Sequence, residues 1–168
     1  MTACRLINKS MQKIPFFHQL IASGFGSGYS PVAPGTAGAL LAMLVWWGYA
    51  SLLDYVFIQV ITASLVVVFT VLGVWSAGVS EKYWGADPSR VVIDEMVGTW
   101  IALLAVPAHG HWGYMVAAFL LFRFFDILKP LGIRKMERFR GGYGIMADDI
   151  LSGIYGLIVI YFYRWIVT

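Results

Sequence analysis

Two adjacent carboxylates, Asp94 and Glu95, interrupt an otherwise apolar stretch, Val91-Val-Ile-Asp-Glu-Met-Val-Gly-Thr-Trp100. A charge at the centre of a membrane helix costs about 2.5–3.5 kcal/mol on insertion scales, so a chain that keeps two has a use for them. A third carboxylate, Asp126, stands in Phe122-Arg-Phe-Phe-Asp-Ile-Leu-Lys-Pro130, and a second adjacent pair is Asp148 and Asp149. Each has a bland reading. Acidic residues favour helix N-termini through the macrodipole, Arg123 and Asp126 are three apart and can pair on one helical face, and Asp148 or Asp149 can cap the helix that follows. If Asp87 is a cap with Pro88 at the first helical position, however, Asp94 and Glu95 fall in the second turn, where the dipole effect has faded. On this reading Asp148 is the cap of the last helix and Asp149 is free for chemistry.

Carboxylates from three segments, with no histidine or cysteine among them, form an oxygen-only donor set suited to a hard cation, Mg²⁺ above all. Asp94, Glu95, Asp126, Asp148 and Asp149 are the candidate metal ligands, and Asp94, Glu95, Asp126 and Asp149 the candidate catalytic groups. Magnesium shares its shell with phosphate oxygens. The stretch Gly24-Phe-Gly-Ser-Gly-Tyr-Ser-Pro-Val-Ala-Pro-Gly-Thr-Ala-Gly38, too rich in glycine and proline for a regular helix, reads as a re-entrant type of loop that offers backbone N–H groups to an anion. Gly26, Ser27, Gly28 and Thr36 are its candidate phosphate contacts, with Arg123 and Lys129 as candidate cationic partners. The loop has no Gly-Lys-Ser/Thr, and Tyr29 stands where the last glycine of a dinucleotide fingerprint would be, so neither nucleotide nor nucleic acid is expected as a partner. Cys4 has no arginine six residues on, no histidine neighbours the acidic residues, and no Asp-x-Asp stretch occurs. Metal-assisted phosphoryl chemistry remains, with water or a carboxylate attacking.

The elements that must position these groups are membrane helices. Of the 168 residues, 60% are hydrophobic and 12% charged, against about 25% charged in an ordinary soluble domain. The fold expected is an all-α integral membrane bundle forming one domain over residues 1–168. About five transmembrane helices arise from apolar runs at 37–53, 56–79, 88–106, 114–128 and 150–167. Residues 1–23 read as a basic segment on the membrane surface, with no cleaved leader. Basic residues alternate between loops: Arg5, Lys9 and Lys13 precede the first run, Lys82 and Arg90 precede the third, and Lys129, Arg134, Lys135, Arg138 and Arg140 follow the fourth. The positive-inside rule then puts the N-terminus in the cytoplasm and gathers every acidic candidate at the cytoplasmic face, with Asp54 on the other side.

Four of these motifs, in this order, resemble the phosphatidylglycerophosphatase A family of bacterial inner-membrane enzymes: the glycine-rich loop, Val92-Ile-Asp-Glu-Met-Val-Gly98, Phe122-Arg-Phe-Phe-Asp-Ile-Leu-Lys-Pro130 and Gly141-Gly-Tyr-Gly-Ile-Met-Ala-Asp-Asp-Ile150. The resemblance spans about Gly24 to Gly153, with Ala39 where the family usually has a serine. It implies a Mg²⁺-dependent phosphatase that takes an anionic phospholipid, phosphatidylglycerophosphate, to phosphatidylglycerol at the cytoplasmic leaflet, with the family's acidic positions at Asp94, Glu95, Asp126, Asp148 and Asp149. A cation transporter would hold such carboxylates near the midplane on discontinuous helices, and a non-catalytic membrane subunit would use the basic loop for a partner.

The alternation of basic loops makes the topology testable. A reporter fused after Thr168 is expected to read external and one inserted near Arg138 cytoplasmic; the reverse pattern refutes the assigned orientation.

Overall fold

A computed structural model of the chain describes residues 14–85, 88–108, 111–130, 132–139 and 141–167. Six α-helices account for most of them: α1 Phe16–Ala22, α2 Pro34–Ala50, α3 Tyr55–Trp84, α4 Ile93–Leu103, α5 His111–Leu128 and α6 Gly142–Val167, with 3-10 turns at Ser27–Tyr29 and Ile133–Arg138. No strand occurs among the described residues. The entry segment's Arg5, Lys9 and Lys13 lie outside them, as do Asp87 and His109.

The bundle is apolar on the outside. Leu40, Leu44, Val56, Phe57, Val60, Val67, Val71, Ile158 and Phe162 are exposed along α2, α3 and α6, whereas Thr62, Ser76, Ser80, Thr99 and Ser152 are buried. The buried hydroxyls are satisfied by their own helices: Thr62 donates to Ile58 O, Ser80 to Ser76 O and Ser152 to Asp148 O, each at 2.7–2.8 Å. This distribution suits a hydrocarbon solvent, in which backbone and side-chain polar groups must be satisfied internally. Two helices, α3 with 30 residues and α6 with 26, are long and apolar enough to cross a bilayer.

Helix α4 is the axis of the molecule. All of its 11 residues are buried except Glu95, and it packs against α2, α3, α5 and α6, most extensively against α6. The third apolar run thus forms a helix shorter than the 88–106 stretch expected from hydropathy. Pro88 does not open it. The Val91 N–H instead closes a turn onto Pro88 O at 2.8 Å, and the Val92 N–H is taken by Ala22 O, at the end of α1, at 2.9 Å. Helix α6, conversely, starts eight residues before Ile150. Gly142 allows this early start, because its Cα lies against Val74 O and Gly78 N of α3 and any side chain there would overlap them.

The α4–α6 contact also rests on missing side chains. A Cβ on Gly153 would overlap the Gly98 carbonyl, and one on Gly98 would overlap Phe122 and sit 2.7 Å from Asp149 O. Asp94 and Asp149 each lie four residues before these glycines, on the same helical faces, so the crossing that brings the glycines together brings the acids together.

Alanine is the better helix former, yet Gly153→Ala is expected to lower the thermal midpoint in detergent, through an overpacking cost of about 1–3 kcal/mol. Gly48→Ala, whose new methyl meets nothing within 4 Å, is expected to leave the midpoint unchanged or raise it. Equal midpoints for the two variants would refute the close crossing.

Candidate active site

The first turn of α4 carries Asp94, 7% exposed, and the half-buried Glu95. Because the helix begins at Ile93, both acids are in its first turn and not, as a cap at Asp87 would require, in its second. The Asp94 carboxylate turns back on the helix start, where Oδ1 accepts the Glu95 N–H at 3.1 Å, while the Thr99 hydroxyl donates to Glu95 O at 2.7 Å. Asp148 and Asp149 sit in the second turn of α6, 7% and 3% exposed. The expected capping role for Asp148 does not hold, since the helix starts six residues before it. Its Oδ2 instead meets Lys129 Nζ at 2.5 Å.

Helix α5 supplies the remaining groups from its last two turns. Arg123 Nη1 donates to Asp126 Oδ2 at 2.5 Å, one turn along the same face. The chain leaves α5 at Lys129, whose N–H still bonds Phe125 O at 2.8 Å but whose φ of +46° is left-handed. Such a conformation at a non-glycine residue is uncommon. Here it stops the helix ahead of Pro130 while the ammonium reaches across to α6.

These residues close around a cavity of about 230 Å³, lined by Asp94, Glu95, Asp126, Lys129, Asp148 and Asp149, with Pro88, Ser89, Val91 and Ile145 completing the wall. Five carboxylates thus share one small space with two cations, Lys129 and, behind Asp126, Arg123. Asp126 and Asp148 are tied to those cations. Asp94, Glu95 and Asp149 stand outside these two ion pairs, and each offers an oxygen within 4.8 Å of the other two. Glu95 Oε2, Asp149 Oδ1 and Asp148 Oδ1 are buried without a hydrogen-bond partner. Buried orphan oxygens are costly. A hard cation, which takes oxygen ligands, could draw the converging oxygens of Asp94, Glu95 and Asp149 together and would give Glu95 and Asp149 the partners they lack.

The residues assigned to phosphate binding divide. Lys129 lines the cavity and Arg123 stands behind it, ion-paired with the lining residue Asp126. Gly26, Ser27 and Gly28 are not among its lining residues. Ser27 donates its hydroxyl to Gly24 O at 2.9 Å, and a Cβ on Gly28 would overlap Arg90 O, so this half of the loop packs on the entry to α4. Thr36 is in the first turn of α2. Its neighbour Gly35 makes the loop's approach to the site: a Cβ there would overlap Glu95 Oε1 and stand 3.4 Å from Arg123 Nη1. Gly35 was not singled out from the sequence, although a Pro-Gly pair opening a helix marks a place where backbone can come close to another group. Ser89 was missed as well, and nothing in its sequence context distinguishes it.

A sequence model of the family described as Phosphatidylglycerophosphatase A matches residues 20–164. The chain is 38% identical over 159 residues to the Escherichia coli protein named Phosphatidylglycerophosphatase A, covering 93% of this chain and 88% of the relative. It is 37% identical over 162 residues to the Haemophilus influenzae protein of that name, covering 92% and 94%. It is also 56% identical over 158 residues to a Bacteroides thetaiotaomicron protein that is named, provisionally, a phosphatidylinositol-3-phosphatase, covering 94% and 99%. No solved structure matches the chain.

Gly35→Ala is expected to displace Glu95 and Arg123 and to lower phosphate release at least ~10-fold, the scale of a small misplacement of catalytic groups, with helical content by circular dichroism unchanged. Wild-type turnover in the variant would refute the close approach of α2 to the site.

Proposed function

We infer the substrate from the premise that this chain belongs to the phosphatidylglycerophosphatase A family and is a hydrolase acting on a phosphate monoester: the ester is phosphatidylglycerophosphate, cleaved to phosphatidylglycerol and inorganic phosphate with Mg²⁺ as cofactor. The observation that carries this reading is the convergence of Asp94, Glu95 and Asp149 within 4.8 Å in the wall of one small cavity, with Glu95 Oε2 and Asp149 Oδ1 buried and unpartnered. Asp94, Glu95 and Asp149 would hold the cation, and a bound Mg²⁺ would supply charge neutralisation to the phosphoryl oxygens.

The chain's own residues account for the rest. The cavity admits a phosphoryl group and keeps it against Lys129, whose ammonium is fixed by Asp148. Asp126 lies next to Asp149 and outside the three-oxygen set, which suits it to accept the proton of an attacking water as the P–O ester bond breaks. Arg123 holds Asp126 in place and offsets charge in a dianionic substrate. The lipid alkoxide takes that proton back from Asp126 and leaves as the alcohol, which restores the carboxylate, and phosphate is released.

On this reading the protein sits in the bacterial inner membrane with its cavity toward the cytoplasm, as the alternation of basic loops suggests. A second reading, phosphatidylinositol 3-phosphate as the ester, draws its support from the name of the Bacteroides relative.

Phosphate release from a panel of lipid phosphates by the purified protein decides between the two esters. Chelator is expected to abolish turnover and added Mg²⁺ to restore it, and full activity in chelator refutes the metal. Asp94→Asn and Asp149→Asn keep shape and remove charge, so each is expected to lower turnover by at least ~10²-fold with membrane insertion intact.

A further inference from the structure

The cavity of about 230 Å³ is below the range of about 300–1,000 Å³ that encloses a drug-sized ligand. It takes a phosphoryl group and its cation, so the remainder of a lipid head group must lie on the rim. Phosphatidylglycerophosphate and phosphatidylinositol 3-phosphate share one feature there: the phosphodiester that joins head group to diacylglycerol, a second anion a short distance from the phosphate to be cleaved.

One described cation, flanked in the chain by two residues of the cavity wall, is not committed to a carboxylate. Lys129 and Arg123 are taken by Asp148 and Asp126. Among the described residues the Arg90 guanidinium meets no carboxylate; it rests over the Tyr29 ring, 5.5 Å from the centroid. The chain neighbours of Arg90 on both sides, Ser89 and Val91, line the cavity, and its own side chain is exposed. Its backbone is clamped by the close approach of Gly28, and Tyr29 is anchored in turn by Gln19, whose Nε2 donates to the Tyr29 hydroxyl at 2.6 Å. The side chain is therefore fixed at its base and loosely held at its tip. A planar guanidinium suits phosphate oxygens, which it binds in bidentate fashion.

We propose that Arg90, which rests on Tyr29 and is flanked by two residues of the cavity wall, reaches to the cavity mouth, binds the phosphodiester of the lipid substrate and so selects phosphatidyl esters that carry a second phosphate. Arg90 is a specificity residue and takes no part in breaking the bond. This rests on the functional reading above, in the form common to both candidate lipids.

The test is steady-state kinetics in neutral detergent micelles with phosphatidylglycerophosphate and phosphatidylinositol 3-phosphate, comparing wild type, Arg90→Gln and Arg90→Lys. Arg90→Gln is expected to raise KM by about 10- to 100-fold, the scale of one charge-assisted contact, with kcat within about twofold of wild type; Arg90→Lys is expected to recover much of the loss. An unchanged KM in Arg90→Gln, or a fall in kcat at constant KM, overturns the proposal while leaving the functional reading intact. So does a defect confined to anionic vesicles, which makes Arg90 a surface anchor. Wild-type protein that releases phosphate from neither lipid overturns the functional reading, and this inference with it.

Discussion

Mutual repulsion among carboxylates is the constraint to which the rest of the structure answers. Two unit charges 4 Å apart at an effective dielectric of 20 interact by about 4 kcal/mol, and here five carboxylates line one cavity with two cations against them. Left to themselves these helix starts would spread. They are held by packing at a distance from the charges: α4 is buried on nearly all sides, and its crossing with α6 is locked by Gly98 and Gly153, one turn beyond the acids. The same packing leaves Glu95, Asp148 and Asp149 with buried oxygens that a cation, a proton or a substrate-borne donor would satisfy. A site with this residual demand is preorganised for charge before any ligand arrives.

The short length of α4 follows from the same arrangement. At 11 residues and about 1.5 Å per residue it covers roughly half of a ~30 Å hydrocarbon core. Irregular backbone at that depth is tolerated only where protein surrounds it. Ala105 and Val106, just past the helix end, are buried, and Arg164 of α6 donates Nη1 to Ala105 O at 2.8 Å. The outer helices thus present apolar faces while the central one ends inside the protein, and its charged start is surrounded by protein.

Chemistry and recognition separate in space. On the proposed reading the carboxylates and their two cations form a compact phosphoryl site, suited to the monoester hydrolysis of the family. On the same reading, what distinguishes one lipid phosphate from another lies outside that cavity, on the surface made by the turn before α4 and the glycine-rich loop. Relatives named for a glycerol ester and for an inositol ester are compatible with one shared core of this kind.

Much of this was determined by the sequence alone. The runs at 37–53 and 56–79 correspond to α2 and α3, because long apolar segments in a membrane have few alternatives to helix. The acids could be gathered on one face because hydropathy and basic loops state which ends of the helices are neighbours. The tertiary structure decided where α4 and α6 begin. Pro88 reads as a helix start, but the Val92 N–H is claimed by Ala22 O from another helix; Gly141-Gly-Tyr-Gly144 reads as loop, but Gly142 packs on α3 and the helix starts there. The tertiary structure also decided the partners. Lys129 with Asp148, Gly35 against Glu95 and Arg90 over Tyr29 join residues far apart in the chain, whose encounter depends on how helices cross and not on any local preference. Composition and periodicity report the solvent each residue prefers; only the packed backbone fixes which charge stands opposite which.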